Sequence, residues 1–368
     1  MSDASPARIL QAILRQNLGA FTERCFREVS PAQSYRHSWH MDALTYRLNE
    51  VIAGRCRRLL ITLPPRSLKS LSASIALPAW LLGREPHKRV ICVSYANDLT
   101  VAHSNSFRAV VNSAWYRQLF PAMRIDAKKD TETELRTTLG GFRLSTTVGG
   151  SLTGRGGSLV VIDDPMKAAD AHSEAARRKV NTWFDETVLS RLDDKRNDAI
   201  IIVMQRLHVD DLAGHVLQSG GWTHLDLPAI AEHEVQIQTG PLSWHSRKIN
   251  EVLHPEREPL AVLEALRAGM GSAAFSAQYQ QRPVPAGGHM VNGTWFGQWS
   301  GDLPKGTAYK IVQSWDTASK AAEISDYSVC ITAAVSKDEI RILDVVRERL
   351  EYPALKKRIV AEKQRWRA

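Results

Sequence analysis

Leu10, Ile13, Leu14 and Leu18 recur at three- and four-residue spacings, and Met41 to Ile52 repeats the pattern. Residues 1–57 are therefore predicted as helical. Beyond them the texture changes to short apolar runs: "RRLLITL" (57–63), "RVICVSYA" (89–96), "GFRLSTT" (141–147), "SLVVIDD" (158–164) and "AIIIVMQ" (199–205). Runs nearly continuous in Leu, Ile and Val suit strands covered on both faces. Amphipathic stretches at Ser70–Leu82 and Leu99–Val111 predict helices between them. Strands alternating with helices argue for an α/β fold built on a mainly parallel sheet.

From about 230 to 305 the alternation fades. One helix is predicted over Pro259–Tyr279, and "RPVPAGGH" (282–289) punctuates what reads as a linker and the start of a second domain. "YKIVQSWD" (309–316), "YSVCITAAV" (327–335) and "EIRILDVV" (339–346) then predict three antiparallel strands, the last two joined by the turn at 336–338. A charged helix is expected from Pro353 onward. The divisions are 1–57 (helical region), 58–235 (α/β core), 236–305 (linker or subdomain) and 306–368 (C-terminal domain).

Composition narrows the function classes. The 368 residues suffice for two domains, and 43% hydrophobic with 24% charged residues is the balance of a globular protein. A net charge of +9 favours a polyanionic partner, nucleic acid before membrane; a solvated basic surface gives the same balance. Cys25, Cys56, Cys92 and Cys330 are spaced neither as metal ligands nor as a disulfide framework, as in a reducing cytoplasm. Asp3, Arg8 and Arg15 break any signal-peptide core, and no apolar run approaches the roughly 20 residues of a membrane span.

"ITLPPRSLKS" (61–70) has the position of a phosphate loop between strand and helix. Lys69 and Ser70 stand where G-x-x-x-x-G-K-[ST] needs them, but Leu63 and Leu68 replace both glycines. Taken alone, the stretch fits a helix start with prolines just ahead of it better than a phosphate loop. About ninety residues on, "LVVIDDP" ends an apolar run in Asp163 and Asp164, as a neighbouring strand of a nucleotide hydrolase would, one acid for Mg2+ and one for water. Gln205, Arg206 and His208 follow another apolar run, where polar residues would face a γ-phosphate.

"LPPRSLKS", "VSYANDLT", "VGGSLTGRGGSLVVIDDP", "VMQRLHVDDLAGH", "HPERE", "SAQYQQRPVPAGG" and "QSWDTASK…DYSVC" together resemble the large terminase subunit of tailed phages and prophages, from about Tyr35 to Pro353. The resemblance implies a RecA-like ASCE phosphate-loop ATPase followed by an RNase H-like nuclease domain. It implies a motor that packages double-stranded DNA into a procapsid, working as a ring on a portal protein with a small terminase subunit, a weak monomer alone, in the host cytoplasm. ATP and Mg2+ are the implied cofactors, with Mg2+ or Mn2+ for the nuclease.

By the same resemblance Pro65, Arg66, Ser67, Leu68, Lys69 and Ser70 hold phosphate, with Ser70 and Asp163 on Mg2+. Asp164, where many members carry Glu, is the hydrolytic carboxylate. Arg66 serves the γ-phosphate, and Gln205 and Arg206 couple hydrolysis to movement. Trp39 and His40 contact the adenine, and the glycine-rich loop with Arg155 lies near DNA or a neighbouring subunit. Leu68, where the family usually has Gly, is expected at negative φ with its side chain turned away. Asp316 and Asp326 are the implied nuclease metal ligands. With three strands and one helix before Ala368, that domain is expected to be incomplete and poorly active. A helicase-like translocase or a non-catalytic prophage remnant that binds DNA or sibling subunits remain alternatives. Residues 341–368 carry nine Lys/Arg against four Asp/Glu, either a phosphate-contacting helix or a solvated face.

Overall fold

The computed structural model describes residues 6–152, 154–284, 296, 297, 299, 303, 308–317, 328–348 and 350–368. The chain divides into two compact units, Met1–Asn292 and Gly293–Ala368. Among the described residues, no helix is long and apolar enough to cross a membrane.

The first unit opens with three helices, α1 (Pro6–Gln16), α2 (Leu18–Val29) and α3 (Trp39–Ile52). The break between α1 and α2 falls at Asn17, whose extended backbone and side-chain oxygen cap α2 at Ala20 N. Then come β1 (Arg58–Thr62), a π-helical turn (Leu71–Ala76) running into α4 (Leu77–Arg84), β2 (Arg89–Ser94), α5 (Asn97–Asn112) and α6 (Ala114–Leu119). After them the chain forms β3 (Ile125–Asp130), β4 (Glu134–Thr137), β5 (Phe142–Thr147), β6 (Leu159–Asp163), α7 (Glu174–Glu186), β7 (Ala199–Met204), α8 (Leu212–Ser219) and β8 (Thr223–Asp226).

Eight strands form one sheet in the order β3-β4-β5-β2-β6-β7-β1-β8. It is parallel from β5 to β8 and antiparallel at the β3–β4 edge. The apolar runs are buried on both faces, as their composition predicts. Leu59, Ile61, Val161, Ile201 and Val203 enter one core; Leu60, Val160, Ile162, Ile200 and Ile202 enter the other. Alternation along each strand sends neighbouring side chains to opposite helical layers.

Four expectations need correction. The strand carrying Asp163 does not adjoin β1: β7 lies between them. The helix expected over Pro259–Tyr279 is two, α9 (Leu260–Met270) and α10 (Ser272–Gln278), because Gly271 at φ 85° takes a backbone that stops a helix. The stretch read as linker holds an antiparallel hairpin, β9 (Val235–Gln238) and β10 (Trp244–Arg247). Finally, β3, β4 and β8 were not expected. They are short or polar, and the backbone ladder of an existing sheet stabilises them more than their own side chains do.

The second unit contains the three expected antiparallel strands, β11 (Lys310–Asp316), β12 (Ser328–Val335) and β13 (Ile340–Glu348), in that order, and α11 (Tyr352–Trp366). Cys330, Ala334, Val346 and Leu355 are buried, and Gln313 Nε2 donates to Thr332 Oγ1 (3.2 Å) and Glu362 O (3.1 Å).

Candidate active site

Parallel strands deliver their C-terminal ends to one edge of the sheet, where β1, β2, β6 and β7 frame a cleft of about 890 Å³. Loops there are positioned by a rigid ladder, so polar side chains brought to that edge keep a fixed geometry.

The loop after β1 begins with Leu63 N donating to Met204 O (3.2 Å), which extends the β1–β7 pairing by one bond. Arg66 and Leu68 then adopt φ of 59° and 58°. Both lie in the left-handed region, which costs a non-glycine residue about 1–2 kcal/mol. Leu68 therefore does not take the expected negative φ. It adopts the backbone a glycine would have there, and its half-buried side chain lines the cleft and packs on the core. The loop keeps the shape of a glycine turn without glycine. Leu68 O accepts from Ser72 N (3.0 Å) and Ser72 Oγ (2.9 Å), and Arg257 donates to Arg66 O, so both strained residues are tied down. The helix starts at Lys69, and its first free N–H groups favour an anion.

Lys69 is nearly buried. Its ammonium lies 2.9 Å from Asp164 Oδ2 and 3.5 Å from Gln205 Oε1. Asp164, at φ 44°, is a third left-handed residue, and its Oδ1 accepts from Gln205 N (3.2 Å). Beneath them Asp163 is 1% exposed. Ser70 Oγ donates to one of its oxygens (3.0 Å) and Ser74 Oγ to the other (2.7 Å). Residues four apart share a helix face, so the two serines grip one carboxylate. Behind Ser74, the fully buried Arg143 donates to Ser74 O (2.9 Å) and sits over the Phe107 ring.

Burial raises the proton affinity of both carboxylates, opposed by Lys69 at each and by Ser74 and Ser70 at Asp163. His103 Nδ1 lies 3.7 Å from Asp163, but burial and then Arg143 lower its pKa to about 4, so it stays neutral at pH 7. Among the described residues no group of three or more His, Cys, Asp or Glu could hold a metal. One buried carboxylate with one hydroxyl suits Mg2+, which binds hard oxygens and takes few protein ligands when substrate phosphates complete its shell. Ser70 and Asp163 fit that role.

The cleft brings together Pro65, Arg66, Leu68, Lys69, Ser70, Asp164 and Gln205. Other expected residues lie elsewhere. Ser67 is buried and lines a small crevice with Pro64 and Glu258. His40 does not line the cleft: it is 1% exposed, with its ring 5.3 Å from that of His254, which does. Trp39 stacks on His245 at 4.2 Å, held by the hairpin. Arg206 does not reach the cleft either, since its Nε donates to both oxygens of Asp211 (3.0 Å each), the N-cap of α8. Arg155 pairs with Glu134 at 2.5 Å. Asp316 is exposed at the end of β11, Asp326 lies outside the described residues, and Asp344 pairs with Arg365 at 3.2 Å. Cleft residues not singled out from the sequence include Gln33, Arg36, Tyr95, Lys167 and Arg257. Arg257 and Tyr95 lie in quoted segments, but nothing local marks them as facing Lys69.

This fold matches solved structures of bacteriophage large terminases. They include that of phage HK97 (12% identity, TM-score 0.46, 95% of this chain and 70% of that one). The ATPase domain from Thermus phage P74-26 matches at 14% identity and TM-score 0.39, over 69% of this chain and 95% of that one. The large terminase of a thermophilic bacteriophage matches at 8% identity and TM-score 0.42, over 90% and 74%. No protein-family profile and no curated protein matches the chain.

Leu68→Gly is expected to change stability by less than about 1 kcal/mol in urea denaturation, because relief at positive φ offsets lost packing and added unfolded-state freedom. Leu68→Val, β-branched in a left-handed conformation, is expected to destabilise by about 1–2 kcal/mol.

His40 supplies a pH test. Burial, then His254, lower its pKa from 6.5 to about 3. A histidine held neutral in the fold stabilises fully above its unfolded pKa and progressively less as pH falls toward the folded one. Between pH 7 and pH 5 the loss from this residue is about 2 kcal/mol. Urea midpoints of His40→Phe should fall correspondingly less over that interval than those of the wild type.

Proposed function

We propose that this chain is an ATP-hydrolysing motor of the large-terminase kind, which moves double-stranded DNA. The carrying observation is the position of Lys69, at a helix start, within 2.9 Å of Asp164 while Ser70 bonds Asp163. An ammonium for phosphate, a hydroxyl–carboxylate pair for a hard cation and a second carboxylate for water thus meet at one cleft.

ATP binding gives Lys69 a stronger partner than Asp164, and the ammonium moves to the phosphates. That exchange frees the Oδ2 of Asp164, while Gln205 N keeps Oδ1 in place. Burial raises the proton affinity of Asp164, which suits it to accept the proton of the attacking water. Water oxygen bonds to the γ-phosphorus, the bridging P–O bond breaks, and ADP and phosphate leave. Mg2+, when held by Ser70 and Asp163, offsets charge on the phosphate oxygens. Arg66, exposed on the rim, adds a cation toward the terminal phosphate. The net charge of +9 suits a DNA partner. Assembly as a ring on a portal, with a small subunit, in the host cytoplasm, belongs to the same proposal and rests on the sequence motifs.

The expected outcome is ATP hydrolysis by the purified chain that Lys69→Ala, Asp163→Asn or Asp164→Asn lowers at least about a hundredfold. Hydrolysis unaffected by all three substitutions would overturn the motor reading, and a wild type no faster than Lys69→Ala would favour the non-catalytic remnant.

For the second unit we propose an RNase H-like nuclease of weak activity. Two-metal cleavage needs clustered carboxylates, and among the described residues no group of three or more His, Cys, Asp or Glu is placed to hold a metal. Supercoiled plasmid incubated with Mn2+ should be nicked only slowly by the wild type, with Asp316→Ala differing little from it. Robust nicking that Asp316→Ala abolishes is the contrary result.

A further inference from the structure

Two consecutive peptide N–H groups follow the end of β7, and neither pairs with a strand. The first, Gln205 N, donates to Asp164 Oδ1 (3.2 Å). The second, Arg206 N, donates to Gln281 Oε1 (3.0 Å). The Gln205–Arg206 segment is thus held from the nucleotide side by a carboxylate of the cleft, and from behind by a side chain 75 residues away.

Gln281 is itself constrained. It is 1% exposed, its Nε2 donates to Gln278 O (2.6 Å), and its φ is 58°. Backbone geometry by itself would favour glycine there. A buried glutamine kept at a left-handed position, with its amide oxygen on the Arg206 N–H and its Nε2 on Gln278 O, points to a role for that amide. Its neighbours anchor the same segment to the loop after β8 and to the end of β8 itself. Gln280 pairs with Ile230 N and O (2.9 Å each). Arg282 donates to Asp226 Oδ2 (2.6 Å), whose Oδ1 accepts from Thr62 Oγ1 (2.8 Å), and Thr62 is the last residue before the phosphate loop.

We propose that Gln281 is a positioning residue for ATP hydrolysis: it fixes the Gln205–Arg206 peptide so that the Gln205 side chain faces Lys69 and its N–H holds Asp164. The inference rests on the ATPase reading and deepens it. A shift of Gln205 when Lys69 leaves Asp164 is felt at Gln281, and by linkage a shift at Gln281 is felt at the nucleotide. The segment 278–284 then senses nucleotide state.

Gln281→Gly removes the amide while accepting the left-handed backbone, so it should fold; Gln280→Ala is the structural control. ATPase kinetics of Gln281→Gly are expected to show kcat lowered about tenfold, the worth of one net hydrogen bond, with KM changed less than about twofold. Gln280→Ala should lower the unfolding midpoint and leave kcat and KM near wild type. Hydrogen exchange gives a readout independent of turnover. In Gln281→Gly the Arg206 amide should exchange faster. A non-hydrolysable ATP analogue should alter exchange in peptides covering 278–284 of the wild type but not of the variant. Wild-type kcat in Gln281→Gly, a loss of kcat matched by the unfolded fraction of the variant at the assay temperature, or unchanged Arg206 exchange would each overturn the role of Gln281. Absence of hydrolysis in the wild type would instead sink the parent reading, leaving exchange at Arg206 and the analogue response to decide on Gln281.

Discussion

The ion pair between Lys69 and Asp164 organises the first unit's chemistry. Isolated, neither charge tolerates the burial it has, since a buried charge without a partner shifts toward its neutral form. Together they neutralise each other, and Asp163 beneath is held by two serine hydroxyls and the more distant His103. The pairing brings together strands that are not neighbours, for β7 separates β1 from β6. It is β7 that supplies Gln205, with its amide N–H on Asp164 and its side chain toward Lys69. The intervening strand is therefore part of the site rather than a spacer.

Backbone strain gathers at the same place. Arg66, Leu68 and Asp164 are all left-handed without being glycine, as is Gln281 behind them. Strain of about 1–2 kcal/mol per residue persists only where the surroundings over-determine the conformation. Here the tethers are visible: Arg257 on Arg66 O, Ser72 on Leu68 O and Arg206 N on the Gln281 side chain. A loop without glycines can hold left-handed residues because hydrogen bonds, from Ser72 nearby and from Arg257 far along the chain, impose that backbone. Pro64 and Pro65 reduce the freedom lost in doing so.

Buried support extends below the reacting groups. Arg143, within the sheet, holds Ser74 O and lies on Phe107, so the serine that grips Asp163 is itself fixed. Arg206 shows the same economy. Its guanidinium serves the Asp211 turn at the start of α8, and only its backbone N–H enters the network around Gln205. Side chain and backbone of one residue can thus serve different parts of the fold.

The local order of residues determined the α/β alternation, the apolar strands and the placement of Lys69 and Ser70 at a helix start and of Asp163, Asp164 and Gln205 at strand ends. Each is set by short-range periodicity or by a residue type at a strand terminus, and such signals act within a few positions of the chain. Only the tertiary structure decided that β7 lies between β1 and β6 and that polar β3 and β4 join the sheet. It also decided that Leu68 takes a glycine's φ, that His40 is sealed behind His254, and that Arg257 and Gln281 reach the site from far along the chain. These depend on which segments pack together, and hydrogen bonds between residues scores of positions apart leave no period or spacing to read.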